Sequence, residues 1–380
     1  MDGFATNGPL RFFRDLPDPR ARNVRHRLID ILVLSLCAVL CDADSWEDFE
    51  VFVRVKRPWF QTFLDFKHGV PSADTFRRVF SRLDPAGLER CFLNWMKSVV
   101  ELSGGQLLAI DGKSIRRSFE HAWDKSGMAH MVSLFVHANG QVFTQVKTDG
   151  KGREIEGILH LLGLADLQGA VVTIDALGCQ KSITQTIIDG GGDYVIGVKS
   201  NQPTLHDSLQ RHLDEMILEK FKGVNHDFVE TVDAGHGRIE TRRVWVTDEI
   251  DWLKQRDQWT GLKQVAVVEA VREVIGGPRS VERHYYIGSR SGLDASFMAG
   301  AIRGHWSIEN GLHHVLDVSF HEDDSRIHKS HAAENVSRLR RMALNLLKDK
   351  GAKFAKRVSI RGRRKMAGWD HDFLLKLVTG

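Results

Sequence analysis

The sequence predicts a mixed α/β chain. An all-helical N-terminal block leads into a core in which three strands are followed by alternating helices and strands, and a β-rich insertion lies late in that core. Three observations carry this. Apolar residues recur at helical spacing through residues 1 to about 100. From about residue 105 the texture turns to short β-branched runs separated by Gly and polar residues. Two of those runs, "LLAI" and "VVTI", both end on Ile-Asp, at Asp111 and Asp175.

The totals bound the answer. At 380 residues the chain is long enough for two or three domains, and 42% hydrophobic with 27% charged residues is ordinary for a folded protein. The net charge is only +4 but uneven: from Arg338 to Lys365 there are twelve Lys or Arg against one acid, Asp349, and the first thirty residues hold six Arg. Basic ends point to a polyanion, with nucleic acid ahead of an acidic membrane; a salt-bridged surface is the alternative. Four scattered Cys without a CxxC pair argue against structural zinc and fit a reducing cytoplasm. The start, "MDGFATNGPLRFFRDLPDPR", has no apolar signal-peptide region.

The elements follow in order. "LIDILVLSLCAVLC", Leu28 to Cys41, is apolar all round and reads as a buried helix; with Asp30 inside it is short for a membrane span. "SWEDFEVFVRVKRPWFQTFLDF" continues in helical spacing until Gly69 and Pro71 break it. "SADTFRRVFSRL" starts a new helix with Ser72 as N-cap. Helix, Gly/Pro turn and a helix carrying Arg77, Arg78 and Arg82 make a helix-turn-helix pattern, one that also arises in helical domains that read no DNA. Strands are expected at 107–110, 131–136 and 142–146, a helix at "EIEGILHLLGL", a strand at 171–174, a helix at 180–188 and a strand at 193–198. Residues from about 225 to 290 alternate as a small antiparallel sheet, read as an insertion. Helix returns near Phe297 through "IRGHWSIENGLHHVLDV" and again in "SHAAENVSRLRRMALNLLKD". The expected division is therefore a helical domain at 1–100, a core at 105–350 and a basic C-terminal tail at 351–380.

The order β-β-β-α-β-α-β is that of the ribonuclease H-like fold, in which the first and fourth strands lie side by side and parallel. Ligand sites in open α/β sheets gather at strand carboxyl ends, where Asp111 and Asp175 stand. A single strand-end Asp is most often a turn or helix cap; a matched pair in this order favours metal ligands. Hard cations such as Mg²⁺ and Mn²⁺ take oxygen donors, and a two-metal site suits in-line attack on a phosphodiester. Glu309 is the best third acid. On a regular helix it shares a face with His305, Leu312, His313 and Leu316, and Trp306, Ile308 and Leu312 would anchor it. Asp317, Glu322, Asp323 and Asp324 are the other acids nearby. "IDGKS" lacks the earlier Gly of a phosphate-binding P-loop, since position 107 is Leu, and HExxH is absent.

The stretches "LLAIDGKSIRRS", "GAVVTIDALGCQKSI", "DYVIGVKSNQPTL" and "IRGHWSIENGLHHVLDVSFHEDDSR" resemble the ISAs-type, H-repeat-associated insertion-sequence transposases of the DDE superfamily. The likeness also reaches the start, in "FFRDLPDPRARNVRHRLIDILVLSLCAVLCDADSWEDFEVF", and the end, in "SIRGRRKMAGWDHDFLLKL". The resemblance implies a ribonuclease H-like catalytic core whose Asp111, Asp175 and Glu309 hold Mg²⁺, with Mn²⁺ as substitute. Glu154 and Glu322 are accessory candidates. Lys113, with Arg116 and Arg117, would face DNA phosphates, a plain surface turn being the alternative. Lys199, Asn201, Gln202, Arg238 and Arg303 are further DNA-contact candidates, alongside Arg77, Arg78 and Arg82. The implied function is cutting at terminal repeats and joining 3′-OH ends to target DNA, by a homodimer on double-stranded DNA in the bacterial cytoplasm, at the nucleoid. A nuclease that cuts without joining, and a catalytically silent DNA-binding relic, are the alternatives.

Overall fold

The computed structural model describes residues 8–20, 24–100, 106–119, 128–235 and 237–379. In chain order the helical start comprises α1 (Leu28–Leu40), α2 (Trp46–Phe60), α3 (Ala73–Arg82) and α4 (Pro85–Val99). Strands β1 (Leu107–Ser114), β2 (His130–Val136) and β3 (Gln141–Thr148) precede α5 (Glu154–Leu164), β4 (Val171–Ile174), α6 (Lys181–Asp189), β5 (Asp193–Val198) and α7 (Pro203–Leu218). Four longer strands follow: β6 (His226–Gly235), β7 (Arg238–Thr247), β8 (Gln264–Val274) and β9 (Arg279–Gly288). The chain closes with α8 (Ala295–His305), a π-helical turn (Glu309–His313), α9 (His314–Phe320), α10 (Ala332–Phe354), α11 (Ile360–Trp369) and α12 (His371–Thr379).

These elements form two compact units. One holds residues 1–101, 112–153 and 309–380; the other holds 102–111 and 154–308. In the first unit α1 is buried on nearly every side, as its unbroken apolar run requires, and each such Leu or Ile contributes about 1.5–3 kcal/mol by leaving water. The Ser45 and Asp48 capping box opens α2, and Ser72 caps α3 by accepting from the Thr75 amide. Residues 61–72 separate α2 from α3, far more than the three or four residues of a helix-turn-helix turn, so that pattern is not formed there. Glu89 of α4 accepts from the Thr144 hydroxyl and the Gln145 amide on β3 and pairs with Arg338 of α10. The helical start is thus keyed into the body of its unit.

The C-terminal residues are not a basic tail. They form α11 and α12, and Arg338, Arg340, Arg341, Arg363 and Arg364 are all buried. Arg364 pairs with Asp42 at 2.8 Å and donates to the Val39 and Ser319 carbonyls, closing the carboxyl ends of α1 and α9. Arg363 donates to the Leu347 carbonyl at 2.7 Å. Much of the basic run is therefore internal wiring, the role in which a guanidinium fork suits buried carbonyls and carboxylates.

In the second unit the strand order is β1-β4-β5-β9-β8-β7-β6. β1, β4 and β5 are parallel neighbours, and β9 pairs antiparallel with β5. The insertion is therefore no separate sheet; its strands extend the central one. A charge ladder, Glu230–Arg243–Glu269–Arg283, crosses its four strands in register and penalises a slip, which would break these pairs. α8 packs on the other face through Ala295, Met298, Ala301 and Ile302 against Val244, Val246, Ala266 and Val268. α7 adds to the expected elements; Leu205, Leu209 and Leu213, one face at four-residue spacing, bury it. Among the described residues no helix is long and apolar enough to cross a membrane.

Candidate active site

In the second unit Leu107–Ile110 pair one for one with Val171–Ile174 in parallel. The residues after that register are Asp111 and Asp175, so the two carboxylates follow the last paired residues of neighbouring strands, strands that lie about 4.8 Å apart. β1 does not stop at Asp111, as its apolar run suggested, but continues to Ser114. Its far end has its own partner: the Ile115 amide donates to the Ala129 carbonyl at 2.9 Å, and the Ser114 hydroxyl lies 2.8 Å from His130 Nδ1.

Asp175 opens a short 3-10 turn, Ala176–Gly178. Its Oδ1 accepts from the Leu177 and Gly178 amides at 3.0 and 3.4 Å. The cap reading of this residue is therefore real, and it leaves the second oxygen for other work. Asn201 donates to the Ala176 carbonyl at 2.6 Å and Gln202 to the Cys179 carbonyl at 2.9 Å. Those amides brace the turn instead of presenting themselves to phosphates, which corrects the expectation for both. Lys199 is exposed. Gly178 has no room for a side chain: a Cβ there would stand 2.2 Å from Ile174 Cγ2. Gly178→Ala is expected to cost about 1–3 kcal/mol by overpacking and to displace Asp175; thermal melts and cutting assays on the one variant check both.

His305 at the end of α8 is the neighbour whose role the sequence did not reveal. The Thr173 hydroxyl donates to the Leu108 carbonyl at 3.3 Å, so it accepts from His305 Nδ1, also at 3.3 Å. That assigns the proton to Nδ1 and leaves Nε2 a bare acceptor. Burial pushes the imidazole pKa down, against the upward pull of Asp175, so the ring is neutral at pH 7 and adds no positive charge beside that carboxylate.

Glu309 belongs to the first unit and is exposed. It begins the π-helical turn Glu309–His313, so the regular 100° wheel that grouped it with His305 and Leu316 does not hold through this segment. π-turns of this kind are frequent at functional sites. The following acids are engaged. Lys113, only 8% exposed, pairs with Asp317 at 2.7 Å, Asp323 at 2.8 Å and Glu322 at 3.6 Å. It does not face phosphates: its ammonium occupies the middle of a carboxylate cluster. Arg116 pairs with Asp323 and Arg117 with Asp324. Glu322 is fully buried, accepting from Ser337 at 3.0 Å and pairing with Arg341 at 3.0 Å. Burial raises its pKa, but Arg341, Lys113 and Arg340 outweigh that and hold it at about 2. Glu322 is a structural ion, not an accessory ligand. Glu154, in the second unit, is buried in the first turn of α5, where an acid complements the helix dipole.

Of the remaining basic candidates, Arg77, Arg78 and Arg82 are exposed on α3, the first two paired with Asp74. Arg238 pairs with Glu240 and Arg303 with Asp233, each at 2.7 Å. Pairs this exposed are weak. Two strand-end carboxylates match the oxygen-donor chemistry of a hard divalent cation. Among the described residues no three of His, Cys, Asp and Glu converge as a ready cation site, so that match rests on Asp111 and Asp175.

Comparison with known proteins gives the family. The Transposase DDE domain family matches residues 102–346, and the DDE_Tnp_1-associated family matches residues 10–96. "Putative transposase YncI" of Escherichia coli O157:H7 is 41% identical over 344 residues, 90% of this chain and 87% of the relative. "H repeat-associated putative transposase YhhI" of Escherichia coli K12 is 37% identical over 374 residues, 96% of each chain. A cryo-EM structure of the piggyBac transposase synaptic complex with hairpin DNA is similar at a TM-score of 0.43 and 10% identity, over 97% of this chain and 77% of that one, too loose a likeness to build on. With the domain matched over most of the chain and relatives matched nearly end to end, the chain belongs to the DDE-superfamily insertion-sequence transposases.

Proposed function

We propose that this transposase cuts DNA at the terminal repeats of its insertion sequence and joins the freed 3′-OH ends to target DNA, using Asp111, Asp175 and Glu309 on a ribonuclease H-like core. The observation that carries the reading is the parallel β1–β4 register, whose last pair, Ile110 and Ile174, is followed on each chain segment by an Asp. Cutting is attack of water on a phosphorus with departure of the 3′-oxygen; joining is attack of that 3′-OH on a target phosphorus with departure of the target strand's own 3′-oxygen, so one P–O bond replaces another. Mg²⁺, or Mn²⁺ in its place, supplies when bound the polarisation of the attacking oxygen and relief of charge at the phosphate. Asp111 and Asp175 contribute the oxygen donors, the Asn201 and Gln202 amides keep the Asp175 turn in place, and neutral His305 leaves the local charge negative. The reading carries with it double-stranded DNA as partner, a homodimer on the DNA ends and action in the bacterial cytoplasm.

Joining is the discriminating activity. Given a pre-cut terminal-repeat duplex and a supercoiled target plasmid in Mg²⁺, the protein should covalently attach the 3′ end to the plasmid. Cutting of intact ends without any attachment of pre-cut ones would make it a nuclease. DNA binding makes a separate prediction. Each phosphate neutralised contributes about −0.9 to the slope of log K against log salt. Replacing Arg77, Arg78 and Arg82 together with Ala should therefore flatten the slope by roughly two to three. Substitution is a cleaner test than deleting residues 1–100, because Glu89 belongs to a buried network with Arg338.

A further inference from the structure

We infer that Lys348 is the positioning residue that holds the Glu309-bearing turn in its widened, π-helical form. Lys348 lies on α10, and its side chain crosses to the π-turn within the first unit. Its Nζ donates to the Gly311 carbonyl at 2.7 Å and to the Gly140 carbonyl in the β2–β3 turn. It also sits 4.9 Å from the centre of the Phe135 ring. One ammonium thus fastens the middle of Glu309–His313 to the tip of a two-stranded hairpin. Such a fastening suits a π-turn. Widening the helix by one residue forgoes the regular i→i−4 ladder, and a carbonyl displaced from it is satisfied by an outside donor or by water.

The surroundings are shaped for this contact. Gly311 packs so closely on Phe135 that a Cβ there would stand 3.2 Å from Cζ and 3.6 Å from the Lys348 ammonium. Any larger residue would push the turn away from its donor. The same ring offers its face to the charge, a contact of about 0.5–2 kcal/mol. No carboxylate contacts this lysine among the described residues, and burial pushes its pKa down to about 8. A buried cation whose partners are two carbonyls and a ring is a costly way to fill space. It is well suited to fixing where one backbone segment lies. Groups that orient ligating side chains from behind typically alter metal affinity or activity 10–100-fold when removed.

The consequence for cutting rests on the proposed role of Glu309; the consequence for the turn does not. The test uses the full-length protein and three variants: Lys348→Met, Lys348→Arg and Glu309→Gln. The first readout is amide hydrogen exchange without metal or DNA. Lys348→Met should speed exchange in residues 309–316 by about tenfold or more while the rest of the unit keeps its protection, and Lys348→Arg, which retains a donor, should recover most of the protection. The second readout is the Mg²⁺ dependence of terminal-repeat cutting. Lys348→Met should raise the half-saturating Mg²⁺ by about tenfold and regain much of its rate at high Mg²⁺, whereas Glu309→Gln should stay inactive at every concentration. Unchanged exchange in 309–316 in Lys348→Met overturns the inference. So does loss of protection throughout the unit, which would make Lys348 a general support. A Glu309→Gln protein that still cuts sinks the catalytic assignment instead, and leaves the exchange result to decide the role of Lys348 alone.

Discussion

Asp175→Asn is expected to abolish cutting, by about a thousandfold or more, without loosening the fold. The two halves of that expectation have different causes. Asn is as good an N-cap as Asp, and its side-chain oxygen can accept from the Leu177 and Gly178 amides as Asp175 Oδ1 does. The Ala176–Gly178 turn therefore keeps its cap, and the melting temperature should stay within a few degrees of wild type. What is lost is one negative oxygen at the β4 end. Stabilisation of transition-state charge by a held cation is worth several kcal/mol, and about 4 kcal/mol corresponds to roughly a thousandfold in rate. Asp111→Asn should behave alike, since Asp111 leaves the neighbouring strand at the matching position. Cutting of a terminal-repeat duplex at saturating Mg²⁺, beside a thermal melt of each variant, reads both halves. A near wild-type rate in either variant removes that residue from the site.

Glu322→Gln carries the other large effect, and it falls on stability. Glu322 is fully buried between Arg341, Lys113 and Ser337. Gln would preserve hydrogen bonding to Ser337 but leave buried Arg341 without its paired carboxylate, while Lys113 would keep Asp317 and Asp323. Breaking a buried pair by neutralising one side costs about 3–5 kcal/mol, a fall in melting temperature of roughly ten degrees. Whatever fraction remains folded should still cut, because Glu322 is bound up in its own ion network. Glu309→Gln should show the opposite pattern: an unchanged melt and no cutting. The pH dependence has a definite sign. The folded pKa of Glu322 lies at about 2, below its ordinary 4.5, so its contribution is fully present above about pH 4.5 and is lost as the pH falls from there toward 2. At 1.36 kcal/mol per unit that contribution is about 3 kcal/mol. Wild type should thus lose stability across that acid window, and the loss should be markedly shallower in Glu322→Gln.

How legible these features were depends on how local their causes are. The bounds of β4 and β5 follow from runs of apolar residues closed by polar ones, and α5 from its own amphipathic pattern, so each could be read where it lies. The Asp that follows the apolar run of β1 and of β4 was legible for the same reason; the continuation of β1 to Ser114 was not. The buried arginines were not. Arg338 is neutralised by Glu89, Arg364 by Asp42 and Lys113 by Asp317, partners far away in sequence, and composition alone cannot tell such a cation from one that awaits DNA. The π-turn was hidden for another reason. A helical wheel assumes one fixed angle per residue, and the turn's outside support, Lys348, lies more than thirty residues downstream. Asn201 and Gln202 were recognised as belonging near Asp175, but only the fold shows that they hold its turn.

The most direct test of the central claim is cutting of the terminal repeats that flank the gene, with the intact protein and labelled duplex, in Mg²⁺ and in excess chelator. The account predicts a break that frees a 3′-OH at the element boundary in Mg²⁺, none in chelator, and none from a well-folded Asp175→Asn protein. Equal cutting with and without the cation, or cutting by Asp175→Asn at the wild-type rate, would contradict it.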